Sequence, residues 1–222
     1  MLQETPELVE LRAGPAILAV SPPAGGSITR YASQHDGTTF EWMRPALPEA
    51  IRNRSAGSTS SFPLVPFSNR IRNAAFRFRG RVIQLPQNFR PEPHAIHGHA
   101  WRAPWGVTAR SEAGLTLEYR HPAGAWPWSY RAEQTFMLTP DHLAVRFGVT
   151  NEASEPMPVG FGPPPYFVRT PRVRVRAAVG RMWRADADAM PVELVAPPSE
   201  LRLEGAGLSP DATALDNNFV AF

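Results

Sequence analysis

Three histidines lie close together near the middle of the chain. His94, His97 and His99 fall within six residues of a 222-residue chain that has six His in all. Imidazole titrates near neutral pH, so it can exchange a proton with a substrate, and His-x-His can also place two metal ligands on one strand face. A metal barrel of the cupin type would add a Glu three or four residues later, where this chain has Arg102 and Ala103. Acid–base chemistry, a metal site and ordinary loop histidines bonded to the backbone all remain open.

An adjacent amide and guanidinium form a second candidate site. Asn69 and Arg70 lie in the irregular segment Pro66–Ile71. The pair can present an amide and a guanidinium fork to one polyol or one anion. The alternative is structural, with Asn69 as a turn residue and Arg70 as the partner in an ion pair.

Aromatic residues provide a third set of candidates. An indole ring can stack on the apolar face of a pyranose, or it can fill the hydrophobic core. The residues concerned are Trp101, Trp105, Trp126 and Trp128.

Two segments nearer the C-terminus complete the candidates. Gly160–Phe167 is a rigid, proline-rich turn followed by aromatic residues, and Leu215–Phe219 reads LDNNF. Asp216 in the latter could accept hydrogen bonds from sugar hydroxyls or cap a turn.

These residues must be positioned by strands. Apolar and polar residues alternate with a period of two in several segments, and prolines interrupt almost every segment long enough for a helix. The best helical segment, residues 48–51, is one turn. We predict an all-β sandwich or barrel forming a single domain over residues 1–222. The segment Thr59–Trp105 should be a long structured loop containing one hairpin, and loops of this kind usually carry function. The predicted strands are 16–20, the hairpin 76–79 with 82–85, 115–119, 130–138, 143–150 and 173–176.

Composition excludes several kinds of chemistry. With Cys 0 and all 23 basic residues being Arg, the chain has no thiol nucleophile, Schiff-base lysine or Walker-type lysine. The net charge is only +3 and the arginines are scattered, which argues against a nucleic-acid partner. Neither an apolar run of membrane length nor a signal peptide is visible, so we expect no membrane partner and a cytoplasmic location. The oligomeric state stays open.

The motifs together resemble the aldose 1-epimerase (galactose mutarotase) family. The resemblance rests on PLVPFSNRI, FRGRVIQLPQN, HAIHGHAWRAPW, GFGPPPYF and LDNNF, which follow one another in the family's order. It implies a galactose mutarotase-like β-supersandwich of antiparallel sheets with little helix. It also implies interconversion of the α and β anomers of an aldohexose by general acid–base catalysis, with no metal or cofactor.

The resemblance also assigns roles to individual residues. His97 matches the first active-site histidine, which bonds near the ring oxygen and is the expected catalytic residue. Asn69, Arg70 and Asp216 match sugar-contacting residues. Apart from the resemblance, Trp105, one of the four tryptophans that could stack on a sugar, is predicted to bind the substrate.

Two departures from the family pattern qualify this interpretation. Pro164 stands where the family has a second histidine, and no residue matches the catalytic glutamate downstream of LDNNF. We therefore expect the chain to be C-terminally incomplete relative to the family. Two other interpretations stay open: a sugar-binding module without activity on the same fold, and a sugar-phosphate epimerase, which Arg70 and Arg72 suggest.

Overall fold

The computed structural model describes residues 7–201, 203–210 and 217–220. The chain divides into two compact units, Met1–Val168 and Arg169–Phe222, which are described separately below. The expectation of a single domain over residues 1–222 stays a prediction.

The first unit consists almost entirely of antiparallel strands. Its single α-helix in the described residues, α1 (Pro48–Arg52), is little more than one turn, and short 3-10 turns occupy Ala56–Ser58, Arg72–Ala74 and Ala100–Arg102. The strands are β1 (Val9–Ala13), β2 (Ala16–Ser21), β3 (Ser27–His35), β4 (Thr38–Glu41), β5 (Arg70–Ile71), β6 (Ala75–Phe78), β7 (Arg81–Gln84), β8 (Ala95–Ile96), β9 (Gly106–Arg110), β10 (Gly114–His121), β11 (Tyr130–Leu138) and β12 (Leu143–Asn151).

Two four-stranded sheets form the framework of this unit. One has the strand order β1-β2-β3-β4 and the other β12-β11-β10-β9. Side chains alternate between the two faces of a strand, so every second residue of β11 is buried, from Tyr130 through Phe136 to Leu138. All six residues of β2 are buried, which explains its continuous apolar run.

The two sheets share one hydrophobic core. Leu11 and Leu18 from the first sheet lie in the same buried cluster as Leu117 and Phe136 from the second. The buried amide of Gln134 in β11 donates to the carbonyl oxygen of Gly26 beside the first sheet at 3.1 Å, which satisfies a polar group inside the core. The prediction of an all-β, antiparallel fold with little helix is therefore confirmed.

The predicted hairpin between β6 and β7 is present. Its turn residues Arg79 and Gly80 have φ values of 48° and 78°. Two successive positive φ values are typical of the tight turns that match the natural twist of paired strands. Strands predicted at 16–20, 115–119, 130–138 and 143–150 and the single helical turn from residue 48 are also present.

The second unit contains a small antiparallel sheet with the order β14-β13-β15. Its elements are β13 (Arg181–Ala185), β14 (Pro191–Val195), a 3-10 turn Ser199–Leu201 and β15 (Phe219–Val220). The strand predicted at residues 173–176 is wrong, because only Val175 pairs there, in an isolated bridge to Leu208. Alternation of apolar and polar residues does not by itself form a strand. A strand also needs backbone partners along its length, and here the neighbouring segment supplies them only at Val175.

Over the described parts of both units, no helix has the length and apolar character needed to cross a membrane.

Candidate active site

A short two-stranded ribbon brings the main candidates together. In β5 and β8, Arg70 lies opposite Ile96, and the backbone N–H of His97 donates to the carbonyl oxygen of Asn69 at 2.8 Å. Asn69 and His97 both adopt left-handed backbone conformations, with φ values of 57° and 61°. Asn and His tolerate this region better than most residues. Asn69, Arg70 and His97 therefore lie at neighbouring positions, although Arg70 and His97 are 27 positions apart in the sequence.

Gly98 lets a second segment approach this ribbon closely. It forms a parallel bridge with Val65, and the N–H of His99 donates to the carbonyl oxygen of Val65 at 3.2 Å. A Cβ atom on Gly98 would lie 2.0 Å from that oxygen, and the φ of Gly98 is +68°. Only glycine satisfies both the conformation and the contact.

Asn88 binds the backbone on both sides of His97 through its side chain. Its amide nitrogen donates to the carbonyl oxygens of Ile96 and Gly98 at 2.8 and 2.6 Å, and its amide oxygen accepts from the N–H of Ile96 at 2.8 Å. The side chain thus satisfies three backbone groups flanking His97. The sequence interpretation assigned no role to Asn88, because a single Asn in a proline-rich loop carries no periodic signal.

His97 is half-buried within a group of aromatic rings. Its ring meets Phe62 and Trp101 edge-on, with centroid distances of 6.2 and 6.3 Å. Phe62 also stacks on Tyr166 at 6.1 Å, and the guanidinium of Arg44 lies 4.5 Å from the centre of the Tyr166 ring. Edge-to-face pairs of aromatic rings attract each other, so the contacts with Phe62 and Trp101 favour one orientation of the His97 ring.

Backbone pairing places the predicted Gly160–Phe167 segment beside this group. The N–H of Gly160 donates to the carbonyl oxygen of Pro66, and the N–H of Tyr166 donates to the carbonyl oxygen of Ser60. Between these two pairs, Gly162 and Leu64 exchange two backbone hydrogen bonds. Distances run from 2.9 to 3.2 Å. The two segments run antiparallel, because residue numbers rise along one as they fall along the other. By this register Pro164 lies across from Phe62, whose ring contacts His97.

Arg70 makes a bidentate ion pair with a partner, Glu92, that sequence inspection did not identify. Its Nε and Nη2 donate to the two carboxylate oxygens of Glu92 at 3.3 and 3.2 Å. The hydrogen bond from Arg70 holds the pKa of the Glu92 carboxyl below its usual value. The ion-pair alternative for Arg70 is therefore realised, and among the described residues only one edge of the guanidinium is occupied.

The three clustered histidines enter three different environments. His94 is buried, and its Nδ1 accepts from the N–H of Asn73 at 3.1 Å. His99 bonds through Nε2 to the Tyr130 hydroxyl at 2.8 Å, away from the aromatic group around His97. Within the described residues, no three His, Cys, Asp or Glu side chains group closely enough to hold a metal ion.

His99 lies in a largely apolar pocket of about 180 Å³ that Phe67, Leu85 and Trp126 also line. Its ring centre is 4.1 Å from that of His121. Burial, together with repulsion from His121, lowers the pKa of His99 to about 3. His99 is therefore neutral at physiological pH and is placed to stabilise the fold rather than to carry charge.

This shift predicts a pH-dependent stability. The unfolded chain binds a proton at His99 near pH 6.5 and the folded chain only near pH 3, so stability is lost as pH falls through that window. From pH 7 to 5 the loss from His99 alone should be about 2 kcal/mol. Urea unfolding at pH 7 and pH 5 measures this loss. In the His99→Gln variant, the difference in the free energy of unfolding between the two pH values should be smaller than in the unmodified protein by that amount. The exposed turn variant His142→Gln is the control, and equal pH dependence in all three proteins would contradict the prediction.

A comparison with known families decides the family. The model of the aldose 1-epimerase family matches residues 7–221 of the chain. The chain belongs to the aldose 1-epimerase family. Its fold is accordingly the galactose mutarotase-like β-supersandwich, with the antiparallel sheets and scarce helix described above.

Individual relatives agree with this assignment. The uncharacterized protein YphB of Escherichia coli K12 is 35% identical over 161 residues, 71% of this chain and 55% of YphB. The crystal structure of an E. coli K12 protein provisionally assigned as an aldose 1-epimerase has a TM-score of 0.81 and 32% identity, covering 91% of this chain and 66% of that one. A GalM/aldose epimerase homologue from C. elegans shares the fold at 13% identity, with a TM-score of 0.81, over 97% of this chain and 71% of that one.

The chain spans somewhat more than half the length of YphB and about two thirds of the E. coli structure. Family membership and fold follow from these matches. The activity and substrate of the whole epimerase-family protein are proposals.

The structure corrects one predicted site residue. Trp105 is completely buried, packs against Tyr119 and Phe147, and donates its indole N–H to the carbonyl oxygen of Ala100 at 3.1 Å. It therefore belongs to the core and has no face open to a sugar. The other three tryptophans considered as stacking platforms, Trp101, Trp126 and Trp128, are also buried.

The predicted site residue Asp216 lies outside the described residues, and its contact with a sugar stays a prediction.

Proposed function

We propose that this protein is an aldose 1-epimerase (mutarotase) that interconverts the α and β anomers of aldohexoses in carbohydrate metabolism by general acid–base catalysis. The observation that carries the proposal is the ribbon in which Asn69, Arg70 and His97 lie at neighbouring positions. A titratable imidazole beside an amide and a guanidinium suits a neutral sugar ring, since each group can bond to a hydroxyl or ring oxygen.

Mutarotation needs two proton transfers near one carbon. A base takes the proton of the anomeric hydroxyl while an acid protonates the ring oxygen, and the ring opens to the aldehyde. Rotation about the C1–C2 bond and reclosure then give the other anomer. Both groups must lie within direct hydrogen-bond reach of the sugar.

His97 is the group that we assign to the ring oxygen. Phe62 and Trp101 fix its ring, and Gly98 and Asn88 fix its backbone, so the imidazole is held in position before a substrate arrives. Preorganisation of this kind lowers the cost of reaching the reactive geometry.

Arg70 and Asn69 are assigned to hold the sugar. Arg70 keeps three N–H groups beyond the two that Glu92 accepts, and these can donate to hydroxyl oxygens. Asp216 is proposed to accept from sugar hydroxyls, as the family resemblance implies.

One observation favours a second candidate, a sugar-binding module without turnover. Pro164 lies across from Phe62 where the family has its second histidine, and proline supplies neither a titratable group nor an N–H. One acid–base group is worth about 10²–10⁴-fold, so a chain that relies on His97 alone should be slower than one with a complete set.

Anomer exchange tests the two candidates directly. Polarimetry or NMR exchange on fresh α-D-glucose and α-D-galactose should show a rate above that of buffer, and EDTA should leave this rate unchanged because no metal is assigned to the chemistry. A rate equal to buffer with measurable sugar binding would support the binding module. Loss of activity with EDTA would contradict the metal-free mechanism.

A further inference from the structure

The candidate sugar site contains a neutralised guanidinium. Arg70 and Glu92 make two parallel hydrogen bonds, and their side chains are only 17% and 27% exposed. A phosphate group can use this same Nε/Nη2 fork of an arginine, because its oxygens match the spacing of the N–H groups as a carboxylate does. The Nε/Nη2 edge of Arg70 is therefore already occupied by a carboxylate.

This occupation affects neutral and charged sugars differently. A hydroxyl or ring oxygen can accept from the N–H groups that Glu92 leaves, without disturbing the ion pair. A phosphate or carboxylate must instead displace Glu92 or lie close to its negative charge, and like charges at short range repel in a partly buried site. Glu92 remains ionised at neutral pH, because its bond to Arg70 lowers its pKa.

Another arginine, Arg102, is engaged beside Trp101, one of the rings that contact His97. Arg102 lies 4.4 Å from the centre of the Trp101 ring and donates to the carbonyl oxygen of Asn88. These contacts hold Arg102 against the Trp101 ring and the loop at Asn88.

We propose that Glu92 determines the substrate class of the site, so that the site accepts neutral aldoses and excludes sugar phosphates. This inference rests on the proposed function, because it takes Arg70 as a sugar contact. Glu92 acts through Arg70 and is a specificity-determining residue rather than a catalytic one.

Binding of D-glucose and D-glucose 6-phosphate to matched variants tests the proposal. Titration followed by NMR should show the unmodified chain binding glucose at least about tenfold more tightly than its phosphate. Glu92→Gln keeps the size but removes the charge, and it should reduce that ratio about tenfold, mainly by tighter phosphate binding. Glu92→Asp keeps the charge and should retain the discrimination.

Glu41→Gln is the matched control, since Glu41 also pairs with an arginine through two bonds, to Nε and Nη2 of Arg30 at 2.9 and 2.6 Å, but lies in β4. It should leave the ratio unchanged. A ratio unaffected by Glu92→Gln, an equal shift in Glu41→Gln, or phosphate preference in the unmodified chain would overturn the inference. Failure to bind either sugar would overturn it together with the sugar site. The expected shift in binding without anomer exchange would support Glu92 and count against the proposed epimerase activity alone.

Discussion

Replacing His97 with Asn should lower the catalysed rate of anomer exchange by about 10²–10⁴-fold, towards the spontaneous rate in buffer. His97 is the titratable group in the ribbon that carries the proposed acid–base step, and asparagine cannot exchange a proton near neutral pH. Asn is the appropriate replacement because residue 97 has a φ of 61°, a conformation that Asn adopts readily. NMR exchange at equilibrium measures both anomers at once and allows the uncatalysed rate to be subtracted.

The matched control for His97 is His35→Asn at the exposed end of β3, which should retain the full rate. Sugar affinity of the His97→Asn variant should change much less than its rate, since Arg70 and Asn69 are unaltered. An unchanged rate in His97→Asn would remove His97 from the chemistry. A loss of rate equal to that in His35→Asn would indicate a general effect on the protein.

Gly98→Ala should destabilise the fold by about 3 kcal/mol or more, or prevent folding altogether. The added methyl group would lie 2.0 Å from the carbonyl oxygen and 2.4 Å from the carbonyl carbon of Val65, so backbone rather than a flexible side chain would have to move. The positive φ of +68° adds a conformational cost for alanine. Urea unfolding measured by circular dichroism gives the change in the free energy of unfolding.

Gly80→Ala separates these two costs. Gly80 also has a positive φ, +78°, but a Cβ there meets nothing within 4 Å. Its substitution should cost only about 1 kcal/mol, the conformational part alone. Similar losses in Gly98→Ala and Gly80→Ala would show that the approach of Val65 to Gly98 contributes little.

Strands that pair along their whole length could be predicted from alternation alone. In β11, burial of every second residue follows directly from the pattern of residues 130–138. The segment 173–176 has an equally strict pattern but only one bridged residue, Val175. Alternation of apolar and polar residues indicates that the two faces of an extended segment differ in polarity. It does not indicate whether a neighbouring segment is present to form backbone hydrogen bonds with it.

The sequence indicates a residue of the candidate site where residue types cluster in an unusual way. It does not indicate a residue whose role is to position another residue of the site. His97 and the Asn69–Arg70 pair were visible as a cluster or an adjacent pair. Glu92 and Asn88 were not, because their importance comes from pairing with Arg70 and with backbone groups near His97. Trp105 was assigned to the sugar because an indole serves a core and a sugar equally well, and only burial distinguishes the two.

The hydrogen bonds between residues 60–66 and 160–166 join segments about one hundred positions apart. Closing so large a loop is entropically costly, and contacts of this range tend to form late in folding. The ribbon carrying His97 can therefore form on a growing polypeptide well before Tyr166 stacks on Phe62. The final orientation of the His97 ring should then appear only at the end of maturation, so recovery of anomer exchange during refolding would report on this last event rather than on collapse of the sheets.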